Sequence, residues 1–264
     1  HTVGPMIIAE RFLQNLRAAG KFDQVARIHT ELQGSLALTG IGHGTDRALY
    51  LGLMGETPRD IDTASVPGKI EKMHAGQKIS LLGEREISFE PKKDVDFRGD
   101  IVPELHPNGM KLTALDKDGA TLLSETWYSV GGGFVRREDE VGRKDDAEER
   151  TFRYPFSSAD ELVSKCNENG LFVHQLIARN EDSFRPRQET FRLLDELWGV
   201  MSACINRGLT TEGELPGGLQ VTRRAPALHK RLTGRGPLNE REVLFDWLNV
   251  LLRPAAPGEW RSSK

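Results

Sequence analysis

Apolar residues recur at helical spacing in some stretches of this chain and alternate in others. Met6, Ile7, Ala9, Phe12, Leu13 and Leu16 form a stripe of period 3.6 and predict a helix. Pro5 suits its first turn, where the missing N–H would be unpaired anyway, and Gly20 suits its stop. Val25 to Gln33 alternates imperfectly and predicts a strand, with Val25, Ile28 and Leu32 as its apolar members. Ala48 to Met54 is apolar at helical spacing and predicts a helix opening near Asp46. Between these two elements, Gly34 to Asp46 reads as a glycine-studded loop carrying one imidazole, His43, and one carboxylate, Asp46. Pro67 to Ala75 predicts a second short helix.

From Lys78 to Val130 the pattern is β. Ile79–Leu82 and Glu86–Phe89 flank Gly83 and predict a hairpin. Pro91 to Pro103 is polar, with Phe97, Ile101 and Val102 scattered through it. Asn108-Gly109 is a strong turn pair. Lys111–Leu115 and Thr121–Ser129 read as strands joined by Asp116-Lys117-Asp118-Gly119. Gly131-Gly132-Gly133 closes the β region, either as backbone passing close to a ligand or as a flexible exit. Beyond it the period is helical again, at 157–166, Leu171–Arg179, Gln188–Arg207, Leu228–Leu232 and Glu240–Leu252. Leu215-Pro216-Gly217-Gly218-Leu219 is a breaker.

The fold class expected is therefore α+β or α/β: a mixed domain at 1–137, then the start of an all-helical domain at 151–252. Residues 138–150 are dense in charge and read as a solvated linker; 253–264 has no periodicity and reads as an unstructured tail.

Composition narrows the function. The formal net charge of −3 and the lack of a basic block argue against a nucleic-acid partner. No apolar run approaches a membrane span, and no signal-peptide pattern is present. Two cysteines, Cys166 and Cys204, are too few for a disulfide framework and point to a reducing cytoplasm. Both read as core residues. Neither Cys-x-x-Cys nor His-Glu-x-x-His occurs, so no self-contained metal site is expected.

The candidate chemistry sits at Gly34–Asp46. Gly40, Gly42 and Gly44 allow tight backbone turns, and Thr45 or Asp46 is placed to cap the following helix. The free N–H groups and dipole of that helix favour an anion. His43 stands at the edge as a proton carrier. The competing reading is a plain strand-to-helix turn with a surface histidine. His1 and Thr2, just ahead of the first helix, form a second spot of the same build.

Five stretches, in order and at matching spacing, carry a family resemblance. They are His1-Thr2-Val3-Gly4-Pro5-Met6, Gly34–Gly40 with Gly42-His43-Gly44-Thr45-Asp46, His106-Pro107-Asn108-Gly109-Met110, Tyr128–Phe134, and Leu215–Leu219 with Arg223-Arg224-Ala225. Over residues 1–250 the chain resembles the iron–sulfur-dependent L-serine dehydratases (L-serine ammonia-lyases). The resemblance implies conversion of L-serine to pyruvate and ammonia without pyridoxal phosphate. It also implies a [4Fe–4S] cluster held by three cysteines, a homodimer and a cytoplasmic lyase of amino-acid catabolism. The first domain should resemble the serine-binding regulatory domain of some phosphoglycerate dehydrogenases.

His43 is then expected to be the base at Cα or to position the substrate. His1, Thr2, Gly44, Thr45, Asp46, Asn108 and Ser129 are expected to bind serine, the carboxylate lying at the helix starts after Thr2 and Thr45. One departure stands out. The family's cluster cysteines lie past residue 264, and Cys166 and Cys204 do not match them. The family-like pattern stops near Asn249. The expectation is an N-terminal portion of a longer enzyme, unable to assemble the cluster alone. The alternative is a non-catalytic, L-serine-binding regulatory module.

Overall fold

The structure is a computed structural model, and it describes residues 1–142, 151–215 and 220–234. The expected helix at Glu240–Leu252, the tail at 253–264, the centre of the Leu215–Leu219 breaker and most of the charged linker lie outside those residues. The chain divides into two compact units. One holds residues 1–141 with the described part of 212–224, and the other holds 151–211 and 225–234. A mixed α/β unit followed by helices is the fold class that the hydrophobic pattern predicts.

The α/β unit opens with α1 (Val3–Ala18), whose stripe of Ile8, Ala9, Phe12, Leu13 and Leu16 is wholly buried. The chain leaves it through Gly20 in the left-handed region and enters β1 (Arg27–Gln33). Val25 precedes the strand but lies in the core. After β1 come α2 (Ser35–Leu38), α3 (Gly40–His43), α4 (Thr45–Leu53) and α5 (Val66–Gly76). The expected glycine-studded loop is thus two single helical turns leading into a third helix. The glycines here punctuate helices rather than loosen a loop.

β2 (Lys78–Leu81) and β3 (Arg85–Ser88) form the expected hairpin as a separate two-stranded sheet. The polar stretch that follows holds two elements without a periodic signal, α6 (Pro91–Asp94) and β4 (Val95–Arg98). β5 (Gly109–Leu115) and β6 (Thr121–Gly131) pair antiparallel, and β7 (Phe134–Arg137) extends the sheet past the expected end. The three glycines at 131–133 join two paired strands. They make the turn between β6 and β7, all at positive φ.

The main sheet has the order β4-β1-β5-β6-β7, with β1 parallel to β4 and antiparallel to β5. Its inner face alternates as a half-buried sheet should. Ile28, Leu32, Met110, Leu112 and Ala114 point into one core with α1, Leu49, Leu53 and Phe89. α1 packs on α4 and β6. A polar seam closes that contact: Asn15 Nδ2 and Trp127 Nε1 both donate to Glu125, each at 3.0 Å.

The second unit contains α7 (Ala159–Asn169), α8 (Val173–Glu181), α9 (Arg187–Thr210) and α10 (Ala225–Thr233). Ser158 caps α7 by accepting from Glu161 N, and Gly170 ends it in the left-handed region. Cys166 is buried as expected. Cys204 is only half-buried, because the α9 stripe beside it faces outward.

Candidate functional site

Four of the five motif segments, far apart in sequence, meet at the N-terminus of α1 and the helical turns after β1; most of the fifth, at Leu215–Leu219, lies outside the described residues. Thr39, between α2 and α3, is the hub. Its hydroxyl donates to Ser35 O at 2.8 Å. With its only hydrogen committed, the same oxygen accepts from His1 Nδ1 at 2.8 Å. The Thr39 carbonyl accepts from His43 Nδ1 at 2.9 Å. A ring nitrogen facing a carbonyl carries the proton. Each neutral imidazole therefore keeps Nε2 as its proton-accepting nitrogen. The two rings lie edge to face, centroids 5.2 Å apart.

Two threonines lock this pair reciprocally. Thr2 Oγ1 donates to His43 O at 2.9 Å, and Thr45 Oγ1 donates to His1 O at 2.7 Å. Thr45 is completely buried. The expectation that Thr45 or Asp46 caps α4 is not met. Gly44 holds the N-cap position at φ 66°, and no side chain accepts from the first turn. That conformation suits glycine and strains other residues. Thr45 instead turns its hydroxyl toward the start of the chain. The α1 start is likewise free of a side-chain cap, since Thr2 donates rather than accepts. Asp46 sits in the first turn of α4, one helical turn from Tyr50. Burial, with the charge of Asp46 adding to it, pushes the Tyr50 hydroxyl above its ordinary range, so Tyr50 stays a neutral phenol.

Asn108 and Ser129 belong to the same assembly through α1. Asn108 Nδ2 donates to Ser129 O at 3.0 Å, and Ser129 N donates to Asn108 O at 3.0 Å. Ser129 is buried directly beneath Gly4. A Cβ at Gly4 would stand 2.1 Å from Ser129 Oγ, so only glycine lets α1 come this close. The neighbouring Pro107 carbonyl accepts from Ser35 N at 2.9 Å, which ties the His106–Met110 turn to the start of α2. His1, Thr2, His43, Gly44 and Thr45 thus form one contacting group. Asp46 adjoins it on α4, and Asn108 and Ser129 support it from the sheet side.

Sequence reasoning did not single out Thr39, although the residue lies in the quoted motif. The available signal was its position four residues before His43, where one helical turn brings a carbonyl to a side chain.

A family model described as serine dehydratase beta chain matches residues 1–140. The chain is 41% identical over 251 residues to an L-serine dehydratase of Streptomyces coelicolor, covering 95% of this chain and 55% of that protein. It is 39% identical over 252 residues to L-serine dehydratase 1 of Escherichia coli, at the same coverages. The L-serine dehydratase of Mycobacterium tuberculosis is 37% identical over 251 residues, with 95% and 54% covered. The chain belongs to the L-serine dehydratase family. It spans about half the length of the curated relatives it matches.

The matched beta-chain region is the α/β unit that carries the two histidines. A [4Fe–4S] cluster, which the resemblance implies, does not fit the residues present. The whole sequence has two cysteines, one fewer than three thiolate ligands require. Cys166 lies buried on α7, and Cys204 lies on α9. Among the described residues, no group of three or more His, Cys, Asp or Glu could hold a metal ion. Among those residues too, no helix is long and apolar enough to cross a membrane.

Proposed function

We propose that this chain supplies the serine-recognition and proton-handling part of an L-serine ammonia-lyase. The observation that supports the reading most is the fixed tautomer of His43. Its Nδ1–H is held by the Thr39 carbonyl, so Nε2 is the free base. Elimination of water from L-serine begins with loss of the Cα proton. His43 Nε2 takes that proton, and the Cα–H electron pair forms the Cα–Cβ double bond as the β-hydroxyl leaves. The product, 2-aminoacrylate, tautomerises to an imine that water splits into pyruvate and ammonia. The starts of α1 and α4, not closed by side-chain caps, receive the substrate carboxylate through their N–H groups. Thr2 and Thr45 hold the histidine pair in register.

Departure of the β-hydroxyl needs an electron-pair acceptor at its oxygen. In the iron–sulfur reading a cluster would supply that acceptor, held by ligands that this chain does not contain. The 264-residue chain alone is then inactive. The shortage of cysteines favours one second reading, a serine-binding regulatory module without catalysis.

The two readings part on one variant. The chain is joined to the unmatched remainder of the Streptomyces coelicolor relative and reconstituted anaerobically. His43→Ala should cut kcat by about 10²–10⁴-fold, as loss of a positioned base does, with KM little changed. Near-normal kcat would remove His43 from the chemistry. Loss of serine binding with kcat intact would favour the regulatory reading.

A further inference from the structure

Thr39 holds the two histidines by different atoms. Its carbonyl accepts from His43 Nδ1. Its hydroxyl, already donating to Ser35 O at 2.8 Å, accepts from His1 Nδ1 at 2.8 Å. The carbonyl is main chain, so the hydroxyl is what this side chain adds. An oxygen whose own hydrogen is spent can only accept, so it selects the His1 tautomer with the proton on Nδ1. Nε2, across the ring, is left with a lone pair and no hydrogen. The Thr45 hydroxyl fixes the backbone of the same residue by donating to His1 O at 2.7 Å. His1 is thus held at ring and main chain as a hydrogen-bond acceptor, its ring centroid 5.2 Å from that of His43.

The groups of L-serine sort themselves against these partners. The carboxylate has no proton to donate and gains nothing from a lone-pair nitrogen. The starts of α1 and α4, without side-chain caps, offer it N–H groups instead. The Cα proton goes to His43, and the β-hydroxyl needs an electron-pair acceptor. The ammonium remains, and it has donors but no acceptor. We infer that His1 Nε2 receives the substrate's α-ammonium, and that Thr39 is the positioning residue whose hydroxyl holds His1 ready for it. The inference rests on the proposed binding of L-serine at this site. It makes a free α-amine the group that the site selects. The rival acceptor is Asp46, in the first turn of α4, whose charge bears on Tyr50.

Two measurements test it on different material. The first is NMR of selectively labelled histidine nitrogens in the 264-residue chain at mildly alkaline pH. The His1 ring should carry its proton on Nδ1. Thr39→Val keeps the shape and removes the hydroxyl, and it should shift His1 toward the Nε2–H tautomer that free imidazoles prefer. The second is kinetics of the chain joined to the unmatched remainder of the Streptomyces coelicolor relative. Thr39→Val should raise KM for L-serine about tenfold or more, as loss of a hydrogen bond to a charged group does, with kcat within about threefold. Thr39→Ser should restore both the tautomer and KM. β-Hydroxypropanoate, which is serine without its ammonium, should inhibit the unsubstituted and Thr39→Val enzymes equally. An unchanged His1 tautomer or an unchanged KM in Thr39→Val would overturn the inference. So would equal weakening of serine and β-hydroxypropanoate, or an Asp46→Asn enzyme that loses serine while Thr39→Val keeps it. The His43→Ala experiment is read in kcat, so the base can fail while the ammonium contact stands.

Discussion

The two units use the same amphipathic vocabulary and reach opposite ends. In the α/β unit, the α1 stripe is fully buried against a sheet with more than enough apolar surface to cover it. In the helical unit, the α9 stripe is as regular in sequence and stands mostly in solvent. Among the described residues of that unit, the buried apolar side chains are Cys166, Leu176, Ala225 and Leu232. Periodicity reports which face of a helix wants a partner. It does not report whether the partner lies in the same chain. The unit that buries its stripes is also the one that fixes two histidines by three cross-segment hydrogen bonds and one within a helical turn. A site held to hydrogen-bond tolerance needs a packed scaffold beneath it.

The largest expected effect separates the units directly. Phe12→Ala, in the centre of the α/β core, should lower stability by about 3–5 kcal/mol in chemical denaturation. Phe191→Ala, on the open face of α9, should cost no more than about 0.5 kcal/mol in the isolated chain. Equal costs would mean that α9 is packed after all.

The next effect lies where α1 meets the sheet. Gly4→Ala brings a methyl group into Ser129 and should cost about 1–3 kcal/mol, as overpacking does. Combined with Ser129→Gly, the loss should be less than additive by at least about 0.5 kcal/mol. Strict additivity would show that Gly4 and Ser129 are not in contact.

These two residues also show how much was legible beforehand. The α1 stripe, the Asp116–Gly119 hairpin and the helical period between residues 157 and 232 are local signals, and they reappear in the structure. β4 was not legible. Its four residues, Val95–Arg98, carry no repeat, and they become a strand because β1 offers a parallel edge from Thr30 to Gln33. The turns α2 and α3 were masked by glycines that favour loops in general. For the site, the motif residues were visible as types. The contact of Gly4 with Ser129, and the bond from His1 to Thr39, depend on tertiary packing across more than 30 positions. No local pattern carries that information.

A smaller effect, of opposite sign, tests how fully the α/β core is satisfied. Thr30 lies on β1 with no exposure, and its hydroxyl has no hydrogen-bond partner among the described residues. A buried unpaired hydroxyl is costly, and valine has nearly the same shape. Thr30→Val should raise stability by about 1 kcal/mol, read as a shift of the denaturation midpoint without a change in slope. A loss of stability would reveal a partner for the hydroxyl.

Hydrogen exchange on the whole 264-residue chain, with and without saturating L-serine, tests the central claim in one experiment. Slow exchange is expected in α1, β1, β5 and β6, with fast exchange along the open face of α9. L-serine should add protection at residues 1–6 and 39–46 and nowhere in the helical unit. Protection of α9 equal to that of α1, or serine-induced protection outside those two segments, would contradict the account.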